Sequence, residues 1–156
     1  MRKLVLISTL FTLFATNVFG QESAKQGYEI KVITSVESIV PSGLGRSRLI
    51  SSTNKRDYKQ FTSSQTATNN TRNKSKRKEI RIKNFEETKL LNFFNLGGIR
   101  FQNIAANDAL ISSKLTVMLS EGWELLFVTS GVESDAGEND PQGIFITRYI
   151  FKRKVN

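Results

Sequence analysis

The chain has 156 residues, of which 38% are hydrophobic and 24% charged, and its formal net charge is +9. That length and composition suit one globular domain with some chain to spare. The sequence contains no cysteine and no histidine, which excludes disulfides, Cys/His zinc sites, Ser-His and Cys-His nucleophilic pairs and imidazole bases. We therefore predict no cofactor, and the side chains left for chemistry are carboxylates, lysine and tyrosine.

The first 20 residues are typical of a secretory signal peptide. Arg2 and Lys3 precede an apolar run, and Gly20 stands just before Gln21, which is the layout of a cleavable leader. A membrane-spanning helix needs about 20 predominantly apolar residues, and polar residues interrupt this run. We therefore expect residues 1–20 to be removed, and residues 21–156 to be periplasmic or secreted without a transmembrane segment.

The mature chain begins with a predicted hairpin. In "GYEIKVITSVESIV" apolar and β-branched residues alternate with polar ones, which predicts a strand. "PSGLG" follows as a predicted turn, since proline and glycine favour turns. A phosphate-binding loop is excluded, because the stretch lacks the glycine and lysine spacing of the nucleotide-binding motifs. "RSRLIS" is predicted to return as the second arm, and the alternation of "EIRIK" at residues 79–83 predicts a further strand of that sheet.

Residues 53–78 are predicted to be a flexible insertion. They are rich in Ser, Thr, Asn and Lys, and they hold too few apolar residues to offset the conformational entropy lost on ordering. Positive charge is concentrated here, since the range from Arg46 to Lys89 holds 13 basic and four acidic residues. The candidate anion-binding side chains are Arg72, Lys74, Lys76, Arg77 and Lys78.

Two interpretations of this basic stretch stay open. One is a solvated loop whose charge aids solubility. The other is electrostatic contact with an anionic polymer or with lipid head groups in the envelope. Nucleic acid is disfavoured as a partner, because the stretch lacks interleaved aromatic residues for base stacking.

Two helices are predicted next. "FEETKLLNFFNLGG", residues 85–98, has apolar spacing of one helical face and a glycine at which the helix can end. A longer amphipathic helix is expected to begin at Asn107 or Asp108, since either side chain can cap a first turn. Its apolar stripe comprises Leu110, Ile111, Leu115, Met118 and Leu119.

The stretch "EGWELLFVTSG" is interpreted as a structural joint. Gly122 follows the helical stripe, where a left-handed residue commonly ends a helix. A strand is then predicted with Trp123, Leu125 and Phe127 on one face, and the tryptophan is expected to pack over the last helical turn. A catalytic role for Glu121 or Glu124 is disfavoured, because the stretch offers neither of them another titratable group as a partner.

The chain closes with a predicted strand, "GIFITRYIFKRK". Both of its sides are apolar, which favours an internal position in the sheet. The preceding loop carries Glu133, Asp135, Glu138 and Asp140, so calcium is one interpretation and a plain acidic turn the other. The loop lacks the spacing and the closing glutamate of a helix-loop-helix calcium site, and we predict no metal site.

Three of these motifs together resemble a known family. "YEIKV", "SEGWELLFV" and "YIFKR" are similar to the pattern of the small bacterial domain catalogued as domain of unknown function 4177. The intervening hairpin, insertion and extra helix depart from that compact pattern, so the chain resembles an elaborated, exported relative of the Bacteroidetes type. The resemblance implies a small α+β fold and a periplasmic location, and it implies no activity.

We therefore expect a single α+β domain over residues 21–156. Its small antiparallel sheet, of about three to five strands, would pack on one main amphipathic helix, with a second short helix and a long basic loop. The leading hypothesis for function is a non-enzymatic exported domain that binds a protein or an envelope component through a sheet edge or an apolar groove. The second is an anion-binding module that uses the basic loop. The third is a carboxylate-based hydrolase of a wall polysaccharide, which needs two carboxylates about 5 to 10 Å apart, such as Glu37 and Glu124.

Overall fold

The computed structural model describes residues 27–38, 47–95, 97–133 and 144–155. The predicted signal peptide, the "PSGLG" turn and the acidic loop after Glu133 lie outside these residues. In chain order the elements are β1 (Gly27–Ser38), β2 (Arg48–Ser52), a 3₁₀ turn (Tyr58–Phe61), α1 (Arg77–Ile80), β3 (Phe85–Lys89), β4 (Phe94–Asn95), β5 (Gly98–Ile99), α2 (Phe101–Ser120), β6 (Glu124–Glu133) and β7 (Ile144–Val155). None of the helices in these residues combines the length and the apolar character that crossing a membrane requires.

Five strands form an antiparallel sheet in the order β3-β2-β1-β7-β6, and β4 and β5 form a separate hairpin. In the main sheet Ser35 of β1 lies opposite Leu49 of β2, and Val128 of β6 lies opposite Tyr149 of β7. The predicted α+β class is confirmed. The hairpin of the first two strands and the internal position of the last strand are confirmed as well.

The hydrophobic core lies between the sheet and α2, within the compact unit Ile30–Arg153. Its buried apolar members are Ile33, Leu49, Leu90, Ile111, Met118, Trp123 and Phe151. Burial of one such large side chain stabilises the fold by about 1.5–3 kcal/mol. Small buried serines, among them Ser35 and Ser51, share this face of the sheet. Their small volume lets the helix lie close to the strands.

The helix predicted over residues 85–98 is wrong. Those residues form the edge strand β3 and most of the β4–β5 hairpin, in which Gly98 has a φ of +94°. Two ion pairs fix β3: Glu87 with Arg48 of β2, and Glu86 with Lys114 of α2. These long-range contacts and the hydrogen bonds of the sheet override a weak local helical preference.

The strand predicted at residues 79–83 is also wrong. The short helix of the structure lies here, over Arg77–Ile80. The Glu79 carboxylate accepts a hydrogen bond of 2.9 Å from the backbone N–H of Lys76. That bond satisfies an N–H group at the start of the turn and favours the helix over an extended chain.

The main helix begins earlier than expected, at Phe101. The backbone carbonyl of Arg100 accepts hydrogen bonds from the N–H groups of Asn103 and Ile104, so Asn107 is an interior helical residue and caps nothing. Of the predicted stripe, Ile111 and Met118 are buried and Leu115 packs against the core, whereas Leu110 and Leu119 are exposed. At about 100° per residue, the two exposed leucines lie on opposite flanks of the buried face.

The joint after the helix is confirmed. Gly122 has a φ of +81° and donates its N–H to the carbonyl of Leu119 at 3.0 Å. The next N–H, of Trp123, donates to the carbonyl of Met118 at 3.1 Å. This pair of bonds is a Schellman motif, which satisfies carbonyls at the helix end and requires a left-handed residue.

The prediction that Trp123, Leu125 and Phe127 share one face of the strand is wrong, because β6 contains a β-bulge. Leu125 lies opposite Phe151, yet Phe127 lies opposite Ile150, so Leu126 is an extra residue. An extra residue reverses the alternation of side chains along a strand. Leu125 and Phe127 therefore lie on opposite faces of the sheet.

Candidate functional site

Trp123 occupies the corner where α2 ends and the sheet begins. Its side chain is only 5% exposed, and the Arg153 guanidinium carbon lies 4.4 Å from the ring centroid. The Arg153 guanidinium also donates a hydrogen bond of 3.3 Å to the carbonyl of Glu121. That carbonyl lies at the carboxyl end of α2, where the helix dipole favours a cation. The Lys31 ammonium lies 5.9 Å from the same ring. Two cations therefore lie over the ring of a nearly buried tryptophan, which supports a structural role for this corner.

A polar network that the sequence did not reveal lies around Asn107, in the amino-terminal half of the helix. Asn107 is 1% exposed, and its amide oxygen accepts a bond of 2.8 Å from the N–H of Leu91. Its amide nitrogen donates to the carbonyl of Leu91 at 2.8 Å and to the Glu37 carboxylate at 3.2 Å. The side chain thus joins α2 to β1 and to the segment that leaves β3. An asparagine inside an apolar helical pattern was the only sequence signal for it.

Two side chains here have shifted pKa values: Glu37, which belongs to this network, and Tyr149. Burial raises the pKa of Glu37 above its ordinary value of 4.5, the hydrogen bond from Asn107 lowers it, and the charge of Asp108 raises it. Burial also raises the pKa of Tyr149, against a hydrogen bond with Ser35 that lowers it. Perturbed groups can mark a catalytic site, but here the shift of Glu37 is that of a half-buried carboxyl that helps to join elements.

The structure does not bring together Glu37 and Glu124, the two carboxylates named as an example for the hydrolase hypothesis. Glu37 faces α2 and bonds to Asn107, whereas Glu124 lies opposite Lys152 and pairs with it at 3.0 Å. Lys152 follows the buried Phe151, so this pair projects from the face away from the helix. The two carboxylates therefore lie on opposite faces. In the described ranges no group of three acidic, cysteine or histidine residues could hold a metal ion.

The predicted anion-binding residues all lie on the surface. Arg72, Lys74 and Lys76 occupy irregular chain, and Arg77 and Lys78 belong to α1. All five are exposed, and among the described residues none of them joins an ion pair. They form one continuous exposed stretch of basic residues, from which contact with an anionic polymer stays a prediction.

The rest of the insertion is the connection of the β2–β3 hairpin, since Ser52 lies opposite Phe85. Its two halves contact each other through side chains: Asn73 donates to the carbonyl of Gln60 at 2.9 Å, and Arg56 to that of Arg81 at 3.3 Å. All these bonds are exposed to solvent. Solvated bonds of this kind contribute little, and flexibility of the insertion stays a prediction.

The face of the sheet away from α2 carries an uncovered apolar surface, which we call the outer apolar face. Residues that alternate with the core positions of each strand project there. Its members are Ile30 and Val32 of β1, Ile50 of β2, Phe85 of β3, Phe127 of β6 and Ile150 of β7. Ile30 and Phe127 are each 55% exposed. Val32 and Phe85 are 39% and 45% exposed, whereas Ile50 and Ile150 are half-buried.

Charged residues border the outer apolar face. The basic ones are Arg48, Lys89, Arg148 and Lys152, and the acidic ones are Glu87 and Glu124. Arg48 pairs with Glu87 and Lys152 with Glu124. Lys89 and Arg148 are two further basic residues of this border, around an apolar centre.

No family model, no curated protein and no solved structure matches this chain. The resemblance drawn from the three short motifs stays a prediction. What the structure defines is an α+β domain with one five-stranded sheet, one main helix and an uncovered apolar sheet face.

Proposed function

We propose that the chain is an exported, non-enzymatic binding domain, and that it binds a protein or another envelope component through the outer apolar face. The observation that supports this function is the exposure of large apolar side chains from neighbouring strands on one side of the sheet. Contiguous apolar surface of this kind is uncommon on soluble monomers and marks interaction sites.

The chemistry of this face indicates the kind of partner. Phe85 and Phe127 are exposed aromatic residues, a type enriched among the residues that dominate binding energy. Lys89 and Arg148 at the border favour a partner with acidic groups around an apolar patch. Each 100 Å² of apolar surface removed from water would contribute about 2.5 kcal/mol before the costs of association.

A pair of matched variants tests this proposal. Ile30→Lys places a charge in the outer apolar face, and Ile99→Lys places the same charge at a position of nearly equal exposure, 52% against 55%, in the separate β4–β5 hairpin. Immobilised protein would be used to capture components of an envelope extract, quantified by mass spectrometry. We expect Ile30→Lys to lose components that the wild type and Ile99→Lys both retain. Equal capture by all three would contradict the proposal.

Export is a separate part of the proposal and has its own test. It is supported by the composition of residues 1–20. In a bacterial host, cell fractionation and amino-terminal sequencing should find a periplasmic or secreted chain that begins at Gln21. A cytoplasmic chain that retains its first residues would contradict it.

The second candidate function is binding of an anionic polymer or lipid surface by the basic stretch. It is favoured by five exposed cations with no ion pair among the described residues. Replacement of Lys74, Lys76 and Lys78 by alanine should weaken retention on immobilised heparin. The salt dependence of binding should fall by roughly 0.7–0.9 in log-log slope per lost contact. A control with Lys55, Lys59 and Lys83 replaced removes equal charge elsewhere, and equal effects of both sets would indicate non-specific attraction.

A further inference from the structure

The two edge strands of the sheet, β3 and β6, are protected to different degrees against pairing with a strand of another chain. Edge strand β3 has five residues, of which Glu86, Glu87 and Lys89 are charged. Edge strand β6 has 10 residues, Glu124–Glu133, and contains no lysine, arginine or proline. Natural sheets blunt an exposed edge by short length, by charge or by proline. The chain applies these devices to β3 along its whole length. In β6 they are confined to the bulge near its start and to the glutamate at each end, and the residues between carry no charge.

Apolar side chains flank the open edge of β6 on both sides of the sheet. Val128 and Val132 face the helix side and are 47% and 57% exposed, and Phe127 projects from the other side. In the described part of the chain nothing pairs with the free edge of this strand. Unpaired N–H and C=O groups select an extended segment, and the exposed side chains select apolar residues on that segment.

We propose that the segment that pairs with β6 is β6 of a second copy, antiparallel, with the two-fold axis at Ser130. In this register Val128 lies opposite the partner subunit's Val132, and Val132 opposite the partner subunit's Val128. Apolar side chains then meet apolar side chains on the helix side. Each valine also lies beside an aromatic residue of its own β7, Tyr149 or Phe145.

Other registers are less favourable. An axis between Val128 and Thr129 would place Glu124 opposite the partner subunit's Glu133, and like charges directly opposite each other destabilise a sheet. An axis at Thr129 would pair Val128 with the partner subunit's Ser130 and leave the valines unmatched. The axis at Ser130 gives an isologous interface, and it joins the two five-stranded sheets into one.

A cysteine pair at the axis tests the register directly. The wild type has no cysteine, so Ser130→Cys introduces a single thiol. Residues opposite each other in an antiparallel pair have Cα atoms about 4.5–5.5 Å apart, within the range of about 4.4–6.8 Å that disulfides span. Thr129→Cys is the control, because Thr129 lies opposite the partner subunit's Gly131. We expect mild oxidation to give covalent dimer rapidly with Ser130→Cys and much more slowly with Thr129→Cys. Equal rates, or no covalent dimer with either, would overturn the proposal.

Charge substitution tests the valine pairs in solution. Light scattering of the purified protein should show a dimer for the wild type and a monomer for Val128→Lys. The double variant V128K/V132E should recover the dimer, because each lysine then lies opposite a partner subunit's glutamate. V128E/V132E, folded by circular dichroism, should stay monomeric. A monomeric wild type at every concentration, or a double variant no more dimeric than Val128→Lys, would contradict the proposal.

The self-association shares only Phe127 with the outer apolar face and does not involve Ile30, so the two proposals can fail separately. Ile30→Lys is expected to leave the dimer intact while it removes the captured components. A dimer that Ile30→Lys dissociates and Val128→Lys leaves intact would place the contact on the outer apolar face and overturn the proposed β6 pairing.

Discussion

Replacement of Asn107 by alanine should destabilise the fold well beyond the loss of a typical surface hydrogen bond. The side chain is 1% exposed and makes three hydrogen bonds, two to the backbone of Leu91 and one to the Glu37 carboxylate. Each bond contributes roughly 0.5–1.5 kcal/mol, and partners left partly buried raise the cost. The expected loss is therefore about 2–4 kcal/mol in the free energy of unfolding.

Urea denaturation of the variant measures this loss as a shift of the midpoint at constant slope. Asn103→Ala is the matched control, because Asn103 donates one bond, to the carbonyl of Asn92 at 2.7 Å, and its loss should cost about 1 kcal/mol. A cost for Asn107→Ala no greater than that of Asn103→Ala would refute the idea that this asparagine joins the helix to β1 and to the segment after β3.

Three further substitutions test the joint at Gly122 and Trp123 and the half-buried carboxyl of Glu37. Trp123→Ala should cost about 3–5 kcal/mol by calorimetry or denaturation, because a large buried side chain is removed. Gly122→Ala should cost about 1–2 kcal/mol, because its φ of +81° is left-handed while an added Cβ would meet only the Arg153 side chain at 4.0 Å. Burial raises the pKa of Glu37 above 4.5, so the folded chain holds this proton more tightly than the unfolded chain, and stability falls as the pH rises through that range. Glu37→Gln should therefore gain stability relative to the wild type as the pH rises above 4.5.

Distinct outcomes would contradict each of these three predictions. A Trp123→Ala protein as stable as the wild type would mean that the corner contributes nothing to the core. Gly131→Ala is the control for the glycine, since Gly131 has no positive φ and an added Cβ meets nothing within 4 Å; equal costs at both sites would remove the left-handed explanation. A stability difference between Glu37→Gln and the wild type that is constant with pH would show that burial does not govern this carboxyl.

The parts of the fold that were predicted correctly rest on short-range signals. The alternation in β1, the glycine after the apolar stripe of α2 and the apolar character of both sides of β7 each require only neighbouring residues. Gly122 is the clearest case, because a left-handed helix end strongly favours glycine wherever it occurs.

The parts that were predicted wrongly depend on contacts distant in sequence. The apolar spacing that predicted a helix is that of Leu90, Leu91 and Phe94. Residues 85–89 instead form an edge strand because they pair with β2 along their whole length, and the ion pairs of Glu86 with Lys114 and of Glu87 with Arg48 add to that pairing. A single extra residue, Leu126, reverses the faces of β6, and no local signal marks it. The start of α2 was misplaced because Asn107 resembles a cap, whereas its amide is satisfied by Leu91.

The candidate binding surface could be only half predicted. Alternation in β1 separates Ile30 and Val32 from the residues beside them, but it does not say which side the helix covers. The helix covers the side of Ile33 and Ser35, where small serines let it approach. The more apolar side is thereby left open, and this choice is made by packing across the whole sheet.

The most direct test of the proposed function compares two altered proteins in the same capture experiment. One carries Ile30→Lys in the outer apolar face, and in the other a two-residue Asn-Gly turn replaces residues 53–84, which connect the paired ends of β2 and β3. Binding through the outer apolar face predicts that the shortened protein still captures envelope components and that Ile30→Lys does not. Capture that survives Ile30→Lys and disappears with the loop would contradict it.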